Sequence, residues 1–364
     1  MSGPREVRVL VIDDSPYNRE SIRQILEHAP GVRVVGHASD GNEGLRQVIA
    51  LEPDIITLDL EMPRMDGYTF LRILMSRRPT PVVVVSSHSH RESVFKALEL
   101  GAVDFIAKPA RPVAPELETI ADELVAKVTQ VARLQPVRLR ARPETRASTE
   151  RAAVVPPPAP AAGPGAAGRA LGLVCIGAST GGPPALKEIF EALPADLAVA
   201  VLVSQHMPPS FTGPFARRLD GAGGLRVREA ADGDVLVAGT ALVAPGSGSL
   251  VVSARPGGEL AVTIEPAGAD RTRIVPSIDR MMDSAARAAG RNTLGVVLTG
   301  MGDDGSRGVQ AIRAAGGVTM AESEKSAVIF GMPESAVRTG AVDEVLPLEA
   351  IAAAIIKFAR ALPR

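Results

Sequence analysis

The sequence predicts an α/β protein of two domains. The first is built on a parallel five-stranded sheet, the second on a mostly parallel sheet with an inserted β-hairpin. Three observations point there. At 364 residues the chain is too long for one ordinary core. Two stretches alternate short β-branched runs with helical patterns, as strands joined through covering helices do. Between them the composition shifts abruptly to Pro, Ala and Arg.

In the first stretch, residues 7–133, strands are expected at VRVLVID (7–13), RVVGHA (33–38), DIITLDL (54–60), PVVVVSS (81–87) and DFIAK (104–108). Each reads as nearly continuous apolar sequence because a parallel sheet is covered on both faces. Helical periodicity in YNRESIRQILEH and GNEGLRQVIAL supplies that cover, and a helix at about 114–133 closes the unit.

Residues 134–170 contain PVRLRARPETRASTERAAVVPPPAPAAGPGAAGRA, with almost no large apolar side chains. Such a segment cannot bury enough surface to offset its chain entropy, so it reads as a linker. It spans on the order of 30 Å. That holds the flanking domains at roughly millimolar effective concentration. Its arginines read as solvation rather than as a docking site.

In the second stretch, residues 171–362, strands are expected at 171–177, 198–205, 240–245, 250–254, 260–265, 294–300 and 317–322. Helices are expected at 183–192, 210–220, 278–290, 305–315, 333–338 and 347–361. The span 240–265 reads as hairpins with Gly and Pro turns.

A formal net charge of −1 argues against attachment to nucleic acid by general electrostatics. The N-terminus carries charges where a signal peptide is apolar. No apolar stretch approaches the roughly 18 to 20 residues that span a bilayer. One cysteine suits a reducing compartment. The expectation is a soluble cytoplasmic protein without nucleic-acid binding or direct membrane insertion.

Asp13 and Asp14 end the first expected strand and Asp59 ends the third. Carboxyl ends of neighbouring parallel strands meet at a ligand crevice. Three carboxylates gathered there call for a hard cation such as Mg²⁺. Ser86 ends the fourth strand with a hydroxyl, and Lys108 ends the fifth with an ammonium. This set suits a carboxylate that accepts a phosphoryl group. Taken singly, either Asp reads as a helix N-cap and Lys108 as an ordinary surface lysine. All five falling at successive strand ends is what those plainer readings leave unexplained.

With VLVIDDS, DLEMPRMDG, PVVVVSS and GAVDFIAKP in order, residues 7 to about 128 resemble the response-regulator receiver domain, a flavodoxin-like fold. The resemblance implies Asp59 as phosphoacceptor. It implies Mg²⁺ held by Asp14, Asp59 and the carbonyl of Glu61, with Asp13 in support. Ser86 becomes the switch hydroxyl, Phe105 the aromatic switch and Lys108 the phosphate-contacting lysine.

In GLVCIGASTGGPP, Gly177, Ser179 and Gly181 form G-x-S-x-G between an expected strand and a helix. That context suits a nucleophile elbow. The same glycines suit a phosphate cradle at a helix N-terminus, although no G-x-G-x-x-G or P-loop Lys-Ser/Thr pair is present. From this stretch alone both readings stay open. Of five histidines only His206 lies in the second stretch, again after a strand, where it is the one base tuned near neutrality. Alone it would read as a polar loop residue. Asp303 and Asp304 follow LGVVLTG and offer a carboxylate to orient the imidazole. The plain reading of Asp304 is an N-cap for the helix at 305–315. Asp232 and Asp234 look like turn residues. Cys175, inside an apolar strand, reads as an inert buried thiol.

GASTGGP, QHMPPSFTGPFARRL, APG, PSID, LTGMGDDG, VIFGMPESAV and GAVDEVLPL fall in order from residue 171 to about 360. This part resembles the CheB catalytic domain, a chemoreceptor glutamate methylesterase and glutamine deamidase. The resemblance implies Ser179, His206 and Asp304 as the catalytic triad and backbone amides near Thr180 and Met301 as the oxyanion hole. It implies no cofactor for ester hydrolysis. It also implies methyl-accepting chemoreceptors as substrates, a CheA-type histidine kinase as phosphodonor, and a monomer. Three segments depart from the family pattern: Ser249 stands in place of His, Arg273-Ile274-Val275-Pro276-Ser277 in place of R-H-R-P-S, and AESEKS in place of Q-D-E. They bear on substrate orientation more than on the reaction.

The expectation is a hydrolase whose receiver covers the catalytic cleft until Asp59 is phosphorylated. Two other classes are weighed against it. A catalytically silent binding module under receiver control would share the motifs. A receiver-linked transcription factor would need a basic helix-turn-helix, which the strand-rich second stretch does not offer.

Overall fold

The structure, a computed structural model, describes residues 6–86, 91–108, 114–132, 170–268 and 274–363. Apart from Ala170, the expected linker lies outside these residues, as does Arg273.

The first sheet contains β1 (Val7–Ile12), β2 (Val32–Ala38), β3 (Ile55–Leu58), β4 (Val82–Ser86) and β5 (Asp104–Ala107), all parallel, in the order β2-β1-β3-β4-β5. Helices α1 (Pro16–Glu27), α2 (Gly41–Leu51), α3 (Gly67–Arg77), α4 (Arg91–Glu99) and α5 (Ala114–Val131) follow strands β1 to β5 in turn. The period-two rule shows in β1. Val9 and Val11 pack with Ile22 and Leu26 of α1 and with Leu124 and Val128 of α5. Leu10 and Ile12 pack with Val48 of α2, Phe70 and Leu74 of α3 and Phe95 of α4. Both faces are therefore covered, and hence the run carries no polar residue from Val9 to Ile12. This is the flavodoxin-like arrangement that the sequence implied.

The second sheet contains β6 (Leu173–Ala178), β7 (Ala200–Gln205), β8 (Arg226–Glu229), β9 (Thr240–Val243), β12 (Thr293–Val297), β13 (Val318–Glu322) and β14 (Glu344–Leu346). Its order is β14-β13-β12-β6-β7-β9-β8, with every pair parallel. A separate antiparallel hairpin pairs β10 (Gly248–Ala254) with β11 (Leu260–Pro266). The helices are α6 (Gly182–Ala192), α7 (Pro209–Asp220), α8 (Ile278–Ala289), α9 (Ser306–Ala314), α10 (Gly331–Arg338) and α11 (Leu348–Ala361). Val174 and Ile176 of β6 pack with residues of α6, α7 and α11. Leu173 and Cys175 face α8, α9 and the hairpin.

Two features differ from the sequence reading. The span 240–265 is not hairpins throughout, because β9 lies in the parallel sheet between β7 and β8 and only β10–β11 forms a hairpin. Strands β8 and β14 were not anticipated. Both are short edge strands, and in β8 only Val227 is buried, so neither shows an apolar run.

The chain leaves β6 towards β7 on one side and later returns through β12 on the other. Such a switch point opens a crevice at the carboxyl ends of the strands. Among the described residues no helix is long and apolar enough to cross a membrane.

Candidate active site

In the first sheet, Asp13 follows β1 and Asp59 follows β3, its immediate neighbour. Carboxylate oxygens of Asp13, Asp14 and Asp59 lie within 4.8 Å of one another. Lys108 reaches in from the end of β5, pairing with Asp13 at 2.8 Å and with Asp59. Helix α1 is capped by Ser15, which accepts from the Asn18 N–H, so neither Asp serves as its N-cap. The Glu61 N–H donates to Asp59 Oδ1 at 3.2 Å, which sets the Glu61 main chain beside the acceptor carboxylate. Ser86 is the buried last residue of β4, and Phe105 is buried in β5. Burial pushes the Asp13 carboxyl above its ordinary value; Lys108 works against this and Asp59 adds to it. Burial would lower the Lys108 ammonium, but the charges of Asp13 and Asp59 outweigh it and hold it raised. Three carboxylates against one ammonium leave a surplus negative charge on oxygen donors, which fits a hard divalent cation.

In the second sheet, Ser179 lies one residue beyond β6 and His206 one beyond β7. The last register pair, Ala178 with Gln205, therefore brings them side by side. The His206 N–H donates to the Ala178 carbonyl at 3.1 Å and the Ser179 N–H to the Thr299 carbonyl at 3.0 Å. Gly181 has φ +79°, a left-handed conformation that turns the chain sharply into α6. Beside it, a Cβ on Gly182 would lie 2.0 Å from Gln205 Oε1. The glycines thus make a tight turn that holds Ser179, half-buried, at the strand end and admits Gln205.

Asp304, seven residues beyond β12, is 7 % exposed. Its Oδ2 meets His206 Nε2 at 2.9 Å. It does not cap α9, whose N-cap is Gly305 without a side-chain bond. Instead it accepts the N–H groups of Ile278 at 2.8 Å and Asp279 at 2.9 Å, at the start of α8. Burial works to raise the Asp304 carboxyl. The bond and charge of His206, with these two N–H groups, overcome it and hold Asp304 below the usual carboxylate range. Asp303 is exposed, so the two adjacent acids are told apart by burial. With Nε2 facing Asp304, Nδ1 is the ring nitrogen left to take a proton. Among the described residues no hydrogen bond joins Ser179 Oγ to the ring. Thr180 is buried, and Met301 lies partly buried beyond β12.

Sequence reasoning missed Gln205 and Asp279. The Gln205 side-chain amide donates to the Ser179 carbonyl at 2.9 Å and the His206 carbonyl at 3.1 Å, tying the two strand ends together. Its position next to His206 was the available signal. Asp279 lies in PSID, where a charged residue amid apolar helix positions was the clue. Two other expectations hold as placed. Cys175 is buried, and burial pushes its thiol up to about 12. Asp232 and Asp234 lie at the 231–234 turn: Asp234 accepts the Ala231 N–H within it, and Asp232 accepts the Ile264 N–H of β11. Ser249 is 6 % exposed and accepts the Ser277 N–H at 3.0 Å, so it braces the chain before α8. Ile274 is exposed.

The two sheets meet beside Ser179. The Thr180 hydroxyl donates to Asp104 at the start of β5. Phe105 packs on Phe211 with centroids 4.7 Å apart, and Phe95 stacks on Phe215 at 5.5 Å. Glu99 pairs with Lys187 at 3.7 Å and with Arg218. Lys127 pairs with Asp104 at 3.2 Å and donates to the Phe105 carbonyl at 2.7 Å.

An acidic pocket of receiver type on one sheet, and a histidine–carboxylate pair at the switch point of another, in a chain whose two sheets are joined through the Asp104–Thr180 and Phe105–Phe211 contacts, define a receiver-linked hydrolase of α/β fold. Residues 174–355 match the CheB methylesterase family and residues 9–118 the response regulator receiver domain. A protein-glutamate methylesterase/protein-glutamine glutaminase of Geobacter sulfurreducens is 51 % identical, covering 97 % of each chain. One from Anaeromyxobacter dehalogenans is 48 % identical, covering 98 % of this chain and 97 % of its own. The crystal structure of the Thermotoga maritima CheB methylesterase catalytic domain is 37 % identical, with a TM-score of 0.49. It covers 51 % of this chain and 97 % of that one. The chain belongs to the CheB methylesterase family and carries a response regulator receiver domain.

Proposed function

We propose that the chain is a phosphorylation-activated hydrolase that demethylates glutamate methyl esters and deamidates glutamines on chemoreceptor cytoplasmic domains. Residues 7–133 act as the receiver, 134–170 as linker and 171–362 as the catalytic domain. The observation that carries this reading is the His206–Asp304 bond set beside Ser179 at one switch point.

Ser179 Oγ attacks the ester carbonyl carbon while His206 takes its proton at Nδ1. Asp304 holds the ring and stabilises its charged form. The loose Ser179–His206 geometry closes in the substrate complex, as apo sites commonly do. The amides of Thr180 and Met301 donate to the oxyanion, each worth on the order of a hundred- to a thousandfold in rate. The tetrahedral intermediate expels methanol, which leaves with the proton from His206. Water, deprotonated by His206, then attacks the acyl carbon and releases the glutamate, and the proton returns to Ser179. A glutamine amide follows the same course with ammonia leaving.

Control comes from the receiver. Mg²⁺ bound by Asp14, Asp59 and the Glu61 carbonyl, with Asp13 behind them, would neutralise charge at the acceptor. Asp59 takes the phosphoryl group from a CheA-type histidine kinase, Lys108 contacts it, and Ser86 and Phe105 reorganise. Phe105 lies against Phe211 and its neighbour Asp104 holds Thr180. Phosphorylation thus loosens a contact that blocks the turn bearing Ser179.

The test is methanol release from methylated receptor membranes by wild type and Ser179→Ala, with and without a small phosphodonor. Release by wild type alone, raised by phosphodonor, is expected. No release by wild type with Asp59 phosphorylated would favour a receiver-controlled binding module.

A further inference from the structure

Two carboxylates exchange helix starts behind His206. Asp304, in the turn leading to α9, accepts from the first N–H groups of α8 and at 3.3 Å from the hydroxyl of its N-cap, Ser277. Asp279, in the first turn of α8, reaches back. Its Oδ1 accepts the N–H groups of Gly305 at 2.9 Å and Gly308 at 2.8 Å, at the start of α9. Its Oδ2 accepts from Arg307 Nε at 2.8 Å. Each acid thereby satisfies donors that the other's helix leaves open, and each lies at the positive end of a helix dipole.

The arrangement is asymmetric in its consequence. Gly305 N belongs to the peptide directly after Asp304, so the Asp279 bond fixes the main chain on which the Asp304 carboxylate pivots. Asp279 is 6 % exposed, and water cannot readily replace it. Gly305, at φ +101°, offers little conformational resistance of its own. Without Asp279 the side-chain ties between the start of α8 and the 303–308 turn come down to those of Asp304, the group whose position matters.

We propose that Asp279 is a positioning residue for hydrolysis, acting through Asp304 to hold the His206 imidazole in its working orientation. This rests on the Ser179–His206–Asp304 reading. A misplacement of about 1 Å costs on the order of a hundredfold in rate. Asp279→Ala in the full-length chain is therefore expected to lower kcat about a hundredfold with KM unchanged. The deshielded proton NMR signal of the His206–Asp304 bond should disappear from the folded variant. Asp279→Asn keeps an acceptor for Gly305 and Gly308, and exposed Arg307 can swing aside. It should recover kcat to within about tenfold of wild type.

Full kcat in folded Asp279→Ala, with Asp304→Ala inactive, overturns the proposal and leaves the triad standing. Full activity of Asp304→Ala overturns the triad itself. Should Asp279→Ala not fold, Asp279→Glu displaces the same acceptors by one methylene. A fall in kcat at constant KM supports positioning, and an unchanged kcat overturns it.

Discussion

The Thr180 hydroxyl donates to the Asp104 carboxylate, joining the residue after Ser179 to the first residue of β5. Both residues are buried, so water does not compete. A hydrogen bond to a charged acceptor contributes about 1.5–3 kcal/mol. Losing it shifts a closed–open balance roughly ten- to a hundredfold. Lys127 keeps Glu123 as a partner at 2.9 Å if Asp104 is removed. Unphosphorylated Asp104→Ala should therefore release methanol at least about threefold faster than wild type. Its phosphodonor-stimulated rate should match wild type. An unchanged basal rate would show that this bond does not restrain the turn.

The acidic pocket should respond to metal. A carboxyl raised by burial costs stability once ionised. That cost is absent below its ordinary value and grows as pH rises through the folded value. At pH 7 without Mg²⁺, Asp13→Asn should therefore unfold at a higher temperature than wild type. One kcal/mol corresponds to about 2–8 °C for domains of this size. Added Mg²⁺ should raise the wild-type transition and move the variant less. Differential scanning calorimetry with and without chelator decides this; an equal Mg²⁺ response in both proteins would exclude Asp13 from the site.

Much of this architecture was legible because parallel strands buried on both faces announce themselves. The run Val9 to Ile12 has no polar residue, and Val201 to Val203 repeats the pattern. Residues at strand ends were legible for the same reason: once the strands are placed, Asp13, Asp59, Ser179 and His206 fall at their carboxyl ends. Contacts between distant loops were not. Asp304 reads locally as a cap for α9, but its partners lie 25 and 26 residues earlier at α8. Only the packing of α8 against α9 on one face of the sheet makes that choice. Ser249 read as a departure bearing on substrate orientation, and its partner Ser277 is 28 residues away. The contact of Asp104 with Thr180 spans 76 residues and the expected linker, so no local pattern could carry it.

Gln205 is the second tie in the site. Its amide nitrogen serves two carbonyls, those of Ser179 and His206, and it is 2 % exposed. Both acceptors fix the orientation of the amide, since an oxygen placed there would face two oxygens. Gln205→Glu puts such an oxygen there and should lower kcat on the order of a hundredfold, by moving Ser179 and His206 apart. Gln205→Ala leaves buried acceptors unsatisfied, at about 1–3 kcal/mol. Steady-state kinetics on receptor membranes, with calorimetry alongside, separates the two effects. Wild-type kcat in Gln205→Glu would mean that the strand register alone holds the pair.

The His206–Asp304 bond should also be visible in stability against pH. Asp304 is held below its ordinary value, so as pH falls the unfolded chain takes up this proton before the folded one does. The stability contributed by the ionised carboxylate is full above the ordinary carboxylate value, near about 4. It is lost as pH falls through the lower, folded value. Asp304→Asn has no carboxyl to titrate and replaces charge-assisted bonds by weaker neutral ones. At pH 7 the variant should unfold several degrees below wild type, reflecting roughly 1–3 kcal/mol. As pH falls below about 4 that gap should narrow, because wild type alone then loses its contribution. Thermal unfolding at constant ionic strength across this range provides the measurement. A gap that stays constant from neutral to acid pH would mean that the Asp304 charge does not stabilise the fold, and that α8 is held to this loop by packing alone.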